Sequence, residues 1–228
     1  MLLNRADFLS KLKISISLAF MHDTRYFANG VFFSDDTLVA SDAYRLFLSK
    51  PISGACFSGI IVSKESLSKV MKFLAANTNK MINVVTTNDS CSIDGIDCMV
   101  IPGGYPPYLA AMPKKIRYSR TLAVKPFLAS LAQLRAVAPP NRCGIFSARQ
   151  CIVLDPGTWE ASAPCEWQDG GYDSDLPFAE LMYNLDHLKT VLSTIKGNAT
   201  FEWGDKDRPV RIHEKGGNGV FLLVPTRF

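Results

Sequence analysis

Apolar landmarks recur at a nearly constant interval along this 228-residue chain. Phe8, Leu9 and Leu12 form a helical stripe, and Phe127, Leu128, Leu131 and Leu134 form another, with Phe8 and Phe127 standing 119 residues apart. Leu67, Val70, Met71 and Leu74 fall at i, i+3, i+4 and i+7 after Ser63. Leu188, Val191, Leu192 and Ile195 run similarly after Asn184, and Leu67 and Leu188 are 121 residues apart. Cys98-Met99-Val100-Ile101-Pro102 parallels Phe221-Leu222-Leu223-Val224-Pro225 at an interval of 123. Three landmarks in one order at this spacing indicate a duplicated unit, although two copies are too few for a solenoid. Whatever one copy does with its two amphipathic helices and its strands, the other must also do.

Local signals fill in the unit. Asn4 is placed as an N-cap, with Asp7 near the positive end of the helix dipole. Lys125-Pro126 opens the matching helix of the second copy, where proline is tolerated in the first turn. Gly197 is placed to end the last helix. Strand patterns fall at Gly30–Phe33, Thr37–Ala40, Tyr44–Ser49, Gly59–Val62, Ile82–Thr86, Cys151–Leu154, Ala199–Trp203 and Val210–His213. Two helices side by side on antiparallel sheet make each copy an α+β layer. The stretch from Pro113 to Arg120 is basic and lacks apolar periodicity, so it reads as a join. This gives one domain over 1–113, a linker over 114–120 and a second domain over 121–228. The final apolar run stops at Pro225, which has no N–H to donate, and leaves Pro225-Thr226-Arg227-Phe228 as a short hook able to border a peptide groove.

Composition narrows the class. Apolar residues make up 47% and charged residues 20%, the balance of a globular chain rather than a disordered one. No apolar run reaches the length of about 18 residues that a spanning helix needs, and Lys11 and Lys13 interrupt any signal-like segment, so a cytoplasmic protein is expected. The six cysteines form no C-x-x-C pair and lie at no zinc-finger spacing from histidine, which reads as reduced, mostly buried thiols with no metal or cofactor. The net charge of +4 is too small to point to nucleic acid by itself, so its distribution matters.

That distribution is biased. Arg5, Lys11 and Lys13 lie off the apolar stripe of the first helix, and Lys64, Lys69 and Lys72 off that of the second, with Glu65 the exception. Lys125, Arg135, Lys189 and Lys196 occupy the helices of the second copy. Acidic residues gather in the presumed loops and strand ends: Asp35, Asp36, Glu160, Glu166, Asp169, Asp173, Asp175, Asp205 and Asp207. A helical layer biased to positive charge suits phosphate contact without sequence readout. An ordinary solvated helix face would carry lysines too.

Four segments carry a more specific signal. Arg25-Tyr26-Phe27-Ala28-Asn29-Gly30 leads to Ala40-Ser41-Asp42-Ala43-Tyr44-Arg45-Leu46. Gly104-Tyr105-Pro106-Pro107-Tyr108 and Met112-Pro113 follow, and the chain closes on Phe221-Leu222-Leu223-Val224-Pro225-Thr226-Arg227-Phe228. Together, in this order, they resemble the bacterial sliding clamp, the beta subunit of DNA polymerase III, in runs written R-Y-x-L-N-G, A-T-D-G-H/Y-R-L, G-R-F-P-D-Y and Y-V-V-M-P-M-R-L. The match covers the family's second and third domains, and its first domain has no counterpart.

The resemblance implies two tandem clamp domains, a closed ring around double-stranded DNA, and no catalytic activity. A domain of this size is roughly 34 Å across, so six in a ring leave a hole of roughly 34 Å and four leave roughly 14 Å. Duplex DNA needs the larger hole, so a two-domain chain is expected to close as a homotrimer through head-to-tail contacts. The resemblance also implies a hydrophobic groove for a short linear motif of a DNA polymerase or clamp loader. Carried over by residue, it comprises Ala28, Ser41, Ala43, Tyr44, Arg45, Leu46, Pro106, Val224, Pro225, Thr226 and Arg227. His22, Arg25, Tyr26 and Phe27 align with a loop that touches duplex. Ala28 stands where the family has Leu, Ala43 where it has Gly, Val224 and Thr226 where it has Met, and Ala110 where a basic residue is usual. These departures imply a shallower or differently selective groove.

Two other classes remain open. A clamp-like module could dock clamp-binding peptides without encircling DNA. An enzyme would need a constellation that the text does not offer: Ser10-x-x-Lys13 and Ser66-x-x-Lys69 lie on amphipathic helices without companion motifs, and only His22, His187 and His213 supply imidazole.

Overall fold

The computed structural model describes residues 1–137, 143–146, 150–154, 160–164, 182–204 and 208–226; of these, the side chains of Arg135, Val137, Met182 and residues 143–164 are not described. The chain divides into two compact units, one of Met1–Tyr108 with Asn218–Val220, the other of Leu109–Gly217 with Phe221–Phe228.

The first unit runs β1 (Leu2–Asn4), α1 (Arg5–Leu18), β2 (Gly30–Asp35), β3 (Thr37–Ser41), β4 (Arg45–Ser49), β5 (Phe57–Ser63), α2 (Lys64–Ala76), β6 (Met81–Thr86), β7 (Cys91–Ile93), β8 (Ile96–Cys98) and β9 (Val100–Ile101). The second runs β10 (Tyr118–Ala123), α3 (Val124–Val137), β11 (Cys143–Phe146), β12 (Gln150–Leu154), β13 (Glu160–Pro164), β14 (Met182–Asn184), α4 (Leu185–Leu192), β15 (Asn198–Trp203), β16 (Val210–His213) and β17 (Gly219–Leu223), the first two residues of β17 being counted with the first unit. The duplication read from the apolar landmarks is therefore present in the element order. Helices α1 and α3 are both 14 residues long and start 119 residues apart, at Arg5 and Val124.

A finer repeat went unread in the sequence. Each unit is itself two β-α-β-β-β halves, and the halves exchange their first strands. In the first unit β1 pairs with β6 of the other half, while β5 pairs with β2, both antiparallel. The resulting sheets have the orders β1-β6-β7-β8 and β4-β3-β2-β5-β9. In the second unit β10-β15-β16 and β13-β12-β11-β14 repeat the scheme. The architecture is α+β with antiparallel sheets, as expected.

The helices begin where the sequence places their caps. Asn4 Oδ1 accepts from Asp7 N at 3.0 Å, Ser63 Oγ from Ser66 N at 3.2 Å, and Asn184 Oδ1 from Asp186 N at 2.9 Å. Each such cap contributes about 1 kcal/mol. In the first core Phe8 meets Phe33 edge-on at 6.2 Å, and Phe33 meets Phe57 at 5.0 Å, above buried Leu12, Leu67, Val70 and Leu74. Phe127, Leu131, Leu188, Val191, Phe201 and Trp203 fill the second. Each of these side chains contributes about 1.5–3 kcal/mol by leaving water.

Three expectations need correcting. Strand β10 takes up Tyr118–Arg120, so the structureless join ends earlier; Tyr118 and Arg120 face Trp203 and Phe201 in register, and strand pairing outweighs local basicity. Gly197 does not end α4, which stops at Leu192 with Ser193 as its C-cap; the Gly197 N–H instead donates to Glu214 Oε1 at 2.8 Å. Lys11 is not an exposed cation. Its side chain is only 5% exposed, and its ammonium contacts Asp7 at 2.7 Å and donates to Pro51 O at 2.9 Å. It lies three residues from Phe8 and four from Ser15, on the face of α1 turned to the sheet.

Candidate functional site

The turn between β3 and β4 is built around one carboxylate. Asp42 is fully buried. Its Oδ1 accepts from Tyr44 N at 2.9 Å and from Arg45 N at 2.6 Å, and its Oδ2 accepts from Arg45 Nε at 2.6 Å. Ser41 Oγ bridges the same turn, donating to Arg45 O at 2.9 Å and accepting from Ala43 N at 3.0 Å. Ala43 sits at φ 69°, a left-handed conformation that an L side chain adopts at some strain. The fully bonded turn holds it there. The result is to lift Tyr44 outward, 54% exposed, while Arg45 lies beneath with its guanidinium bonded to Asp42.

The loop after α1 stands beside this turn. The Arg25 guanidinium lies 6.0 Å from the Tyr44 ring centroid. It also forks onto Asp23, through Nε at 2.9 Å and Nη2 at 2.8 Å. Those hydrogen bonds hold the Asp23 carboxyl down at about 2 and raise Arg25 above its ordinary value. Tyr26 donates its hydroxyl to Gly104 O, and its ring meets Phe27 edge-on at 6.0 Å. Phe27 touches Tyr105 at 5.8 Å, which stacks on Phe32 at 4.7 Å. Tyr26 and Phe27 thus belong to an aromatic cluster with one exposed end, Tyr26. Burial holds the Tyr105 phenol well above its ordinary pKa.

Of the expected groove, the first unit supplies Ser41, Ala43, Tyr44, Arg45 and Leu46 on one turn and strand. Ala28 is buried at the end of the same loop, and Pro106 is half-buried beside Tyr105. In the second unit Val224 and Thr226 are exposed and Pro225 is half-buried. Arg227 and Phe228 lie outside the described residues, as do Glu166, Asp169, Asp173, Asp175, Asp205 and Asp207.

The expected phosphate-facing cations divide into two groups. Lys13, Lys69, Lys72, Lys125, Lys189 and Lys196 are exposed. Lys69 shares its charge with Glu65 at 2.9 Å. Arg5, Lys11 and Lys64 are engaged by the fold: Arg5 donates to Leu74 O at the end of α2, and Lys64 donates to Ala19 O. Burial lowers the Lys64 pKa from its ordinary value. Lys64 and His22 meet at a cavity of about 250 Å³ lined also by Met21, Asn29, Ser63, Glu65, Met99 and Ile101. The side chain of Arg135 lies outside the description.

Chemistry elsewhere is sparse. Ser66 serves the α2 cap, accepting from Ser63 Oγ and from Met99 N, both at 3.0 Å, and Ser10 Oγ donates to Asp7 O at 2.8 Å. His213 lies 3.4 Å from Glu202, which also meets Arg211 at 3.3 Å, a surface network on β15 and β16. Among the described residues no cluster of three His, Cys, Asp or Glu suits a metal. No described helix is long and apolar enough to cross a membrane.

No protein-family model and no curated protein sequence matches the chain. Solved structures do. The DNA polymerase sliding clamp of Caulobacter crescentus superposes over 100% of this chain with a TM-score of 0.83 at 17% identity. The DNA polymerase III beta subunit of Thermotoga maritima gives 0.81 at 18%, and the sliding clamp of Bartonella birtlesii bound to griselimycin gives 0.80 at 16%, each again over the whole chain. The chain spans 65% of the length of the Caulobacter and Thermotoga proteins and 66% of the Bartonella protein. It therefore has the fold of bacterial sliding clamps from end to end.

Proposed function

We propose that this protein is a DNA sliding clamp, a non-catalytic accessory subunit that encircles duplex DNA and tethers a replicative polymerase. The observation that carries the reading is the fold: every described element lies within a chain that superposes on sliding clamps over its full length. The first clamp domain would cover residues 1–113, and the second would extend to residue 228, beginning at the start of β10 rather than within it at residue 121. A ring of such two-domain chains needs three copies to admit duplex. Its lining would use Lys13, Lys69, Lys72, Lys125 and Lys189, which are exposed and lie on helices, and Lys196, which is exposed but lies past the end of α4 at Leu192 rather than on the helix where the sequence placed it. Topological linkage then replaces tight binding, so the contacts need only be loose and insensitive to sequence.

Partner capture is assigned to the turn that presents Tyr44 and to Val224, Pro225 and Thr226. An exposed aromatic on a rigid turn suits a short peptide with apolar anchors. The partners would be a polymerase and a loader that opens the ring, in a soluble cytoplasmic setting.

Light scattering tests the assembly: a mass of three chains is expected. A stable monomer at micromolar concentration would favour a clamp-like module that binds peptides without encircling DNA. Once loaded, the protein should remain on nicked circular DNA in high salt and slide off the same DNA made linear. Equal, salt-sensitive loss from both forms would mean simple phosphate binding.

A further inference from the structure

Strands β7 and β8 form a hairpin closed by Asp94-Gly95, with φ of 49° and 80°. Both turn residues being left-handed, this is the two-residue turn whose twist matches the strands. The register then places Ile93 opposite Ile96, Ser92 opposite Asp97, and Cys91 opposite Cys98. Opposed residues of an antiparallel pair have Cα atoms about 4.5–5.5 Å apart, inside the range of about 4.4–6.8 Å over which a disulfide closes. Both thiols face the interior, and the Cys98 thiol donates to Ile96 O at 3.6 Å. In the sheet order β1-β6-β7-β8 the second of them sits on the edge strand.

We propose that Cys91 and Cys98 form a reversible dithiol–disulfide couple, a modification site built into the edge hairpin of the first unit. Cys98 is the attacking sulfur, because it lies on the edge strand and is the less buried of the two, 7% against 3% exposed. The neighbouring Cys91 thiol also lowers the Cys98 pKa, whereas interaction with Cys98 and burial raise that of Cys91. With a small disulfide such as oxidised glutathione, the Cys98 thiolate attacks one sulfur of the oxidant and expels a glutathione thiolate. The Cys91 sulfur, on giving up its proton, then attacks Cys98 and expels the second. Two electrons pass from the cysteines to the oxidant, and their two protons leave with the two glutathiones.

Two features make the bond easily reversed. Counting from the turn, Cys91 and Cys98 fall at a position where the strands exchange backbone hydrogen bonds, so their Cβ atoms stand at the wide end of the range and the bond forms under tension. Strained disulfides are the readily reduced ones. Access is provided by local opening, because β8 has three residues and, among the described residues of the single chain, is the last strand of its sheet. Among the described cysteines the exposed Cys56 has no such partner and provides an internal control for reagent access.

Trypsin gives the test a clean readout, because no Lys or Arg lies between residues 81 and 113 and both cysteines fall in the peptide 81–114. The full chain is incubated in excess oxidised glutathione, quenched with iodoacetamide and digested. Most of that peptide is expected to lose two hydrogens and take up no alkyl group, and to recover both thiols under dithiothreitol. Cys91→Ser should trap glutathione on Cys98, whereas Cys98→Ser should leave Cys91 unmodified. The proposal is overturned if both cysteines are alkylated, or both carry glutathione, once Cys56 has reacted fully. Trapping on Cys91 in Cys98→Ser, with none on Cys98 in Cys91→Ser, would equally overturn the assigned order of attack.

Discussion

Asp42 holds Arg45 by both its backbone and its side chain. One carboxylate oxygen accepts from the Arg45 N–H at 2.6 Å, and the other accepts from Nε, also at 2.6 Å. Because the acid is fully buried and the guanidinium nearly so, with side-chain exposures of 0% and 11%, the pair fixes the turn that displays Tyr44. Removing the acid leaves a buried cation and two backbone donors without partners. We expect Asp42→Ala to lose about 3–5 kcal/mol of stability, the usual loss on breaking a buried pair. Urea denaturation measures it, and a loss below about 1 kcal/mol would mean that water can replace the carboxylate.

Tyr44 and Arg45 should separate in function. Tyr44→Ala removes an exposed ring and should leave the urea midpoint nearly unchanged. Its expected effect is a weakening of about tenfold or more in the binding of a fluorescent peptide bearing a glutamine and two bulky apolar residues. Arg45→Ala should lower stability as well. Unchanged peptide affinity in a folded Tyr44→Ala variant would remove the turn from the proposed groove.

The duplication was legible because it is written in long amphipathic stripes: Phe8 and Phe127 lead helices of equal length. The half-repeat inside each unit was not, because β1, β7 and β8 have three residues each, too few for alternation to register. Asp94-Gly95 was nonetheless a readable hairpin signal between Ile93 and Ile96. The site shows the same division. Ser41, Ala43, Tyr44 and Arg45 are neighbours in sequence and remain neighbours on one turn. The dependence of that turn on Asp42, and the contact of Arg25 with Tyr44, are tertiary facts that no local pattern encodes.

Asp23 gives a pH signature. Its carboxyl is held down from 3.8 to about 2, chiefly by the side-chain hydrogen bonds with Arg25. A depressed carboxylate stabilises the fold above its unfolded value, and that contribution fades as pH falls from about 4 towards 2. A carbon-detected NMR titration should place the Asp23 midpoint near 2, and Arg25→Ala should return it towards the ordinary range. A midpoint near 4 in the unaltered protein would show that the fork to Arg25 is not held in solution.

Lys11 and Lys13 are two residues apart on α1 and should behave oppositely. Lys13 is exposed, so Lys13→Ala should weaken DNA retention of the ring and lower the salt slope by about one. Lys11→Ala strands Asp7 and the Pro51 carbonyl and should instead lose about 1–3 kcal/mol of stability, with the salt slope intact. The reverse pattern would place the first helix with its other face to DNA.

Tyr105 offers a stabilising substitution. Its ring stacks on Phe32 at 4.7 Å, but its hydroxyl oxygen is buried and has no hydrogen-bond partner among the described residues. Leaving a hydroxyl dry in this way costs about 1–3 kcal/mol, while the ring contacts survive its removal. Tyr105→Phe should therefore raise stability by about 1 kcal/mol, read as a higher urea midpoint at an unchanged slope. A lower midpoint would mean that the hydroxyl is bonded in solution, through a water reaching it between Phe27 and Tyr108, whose rings lie 5.8 and 6.0 Å from that of Tyr105. The aromatic cluster would then be wet at its centre, and its support of Pro106 correspondingly softer.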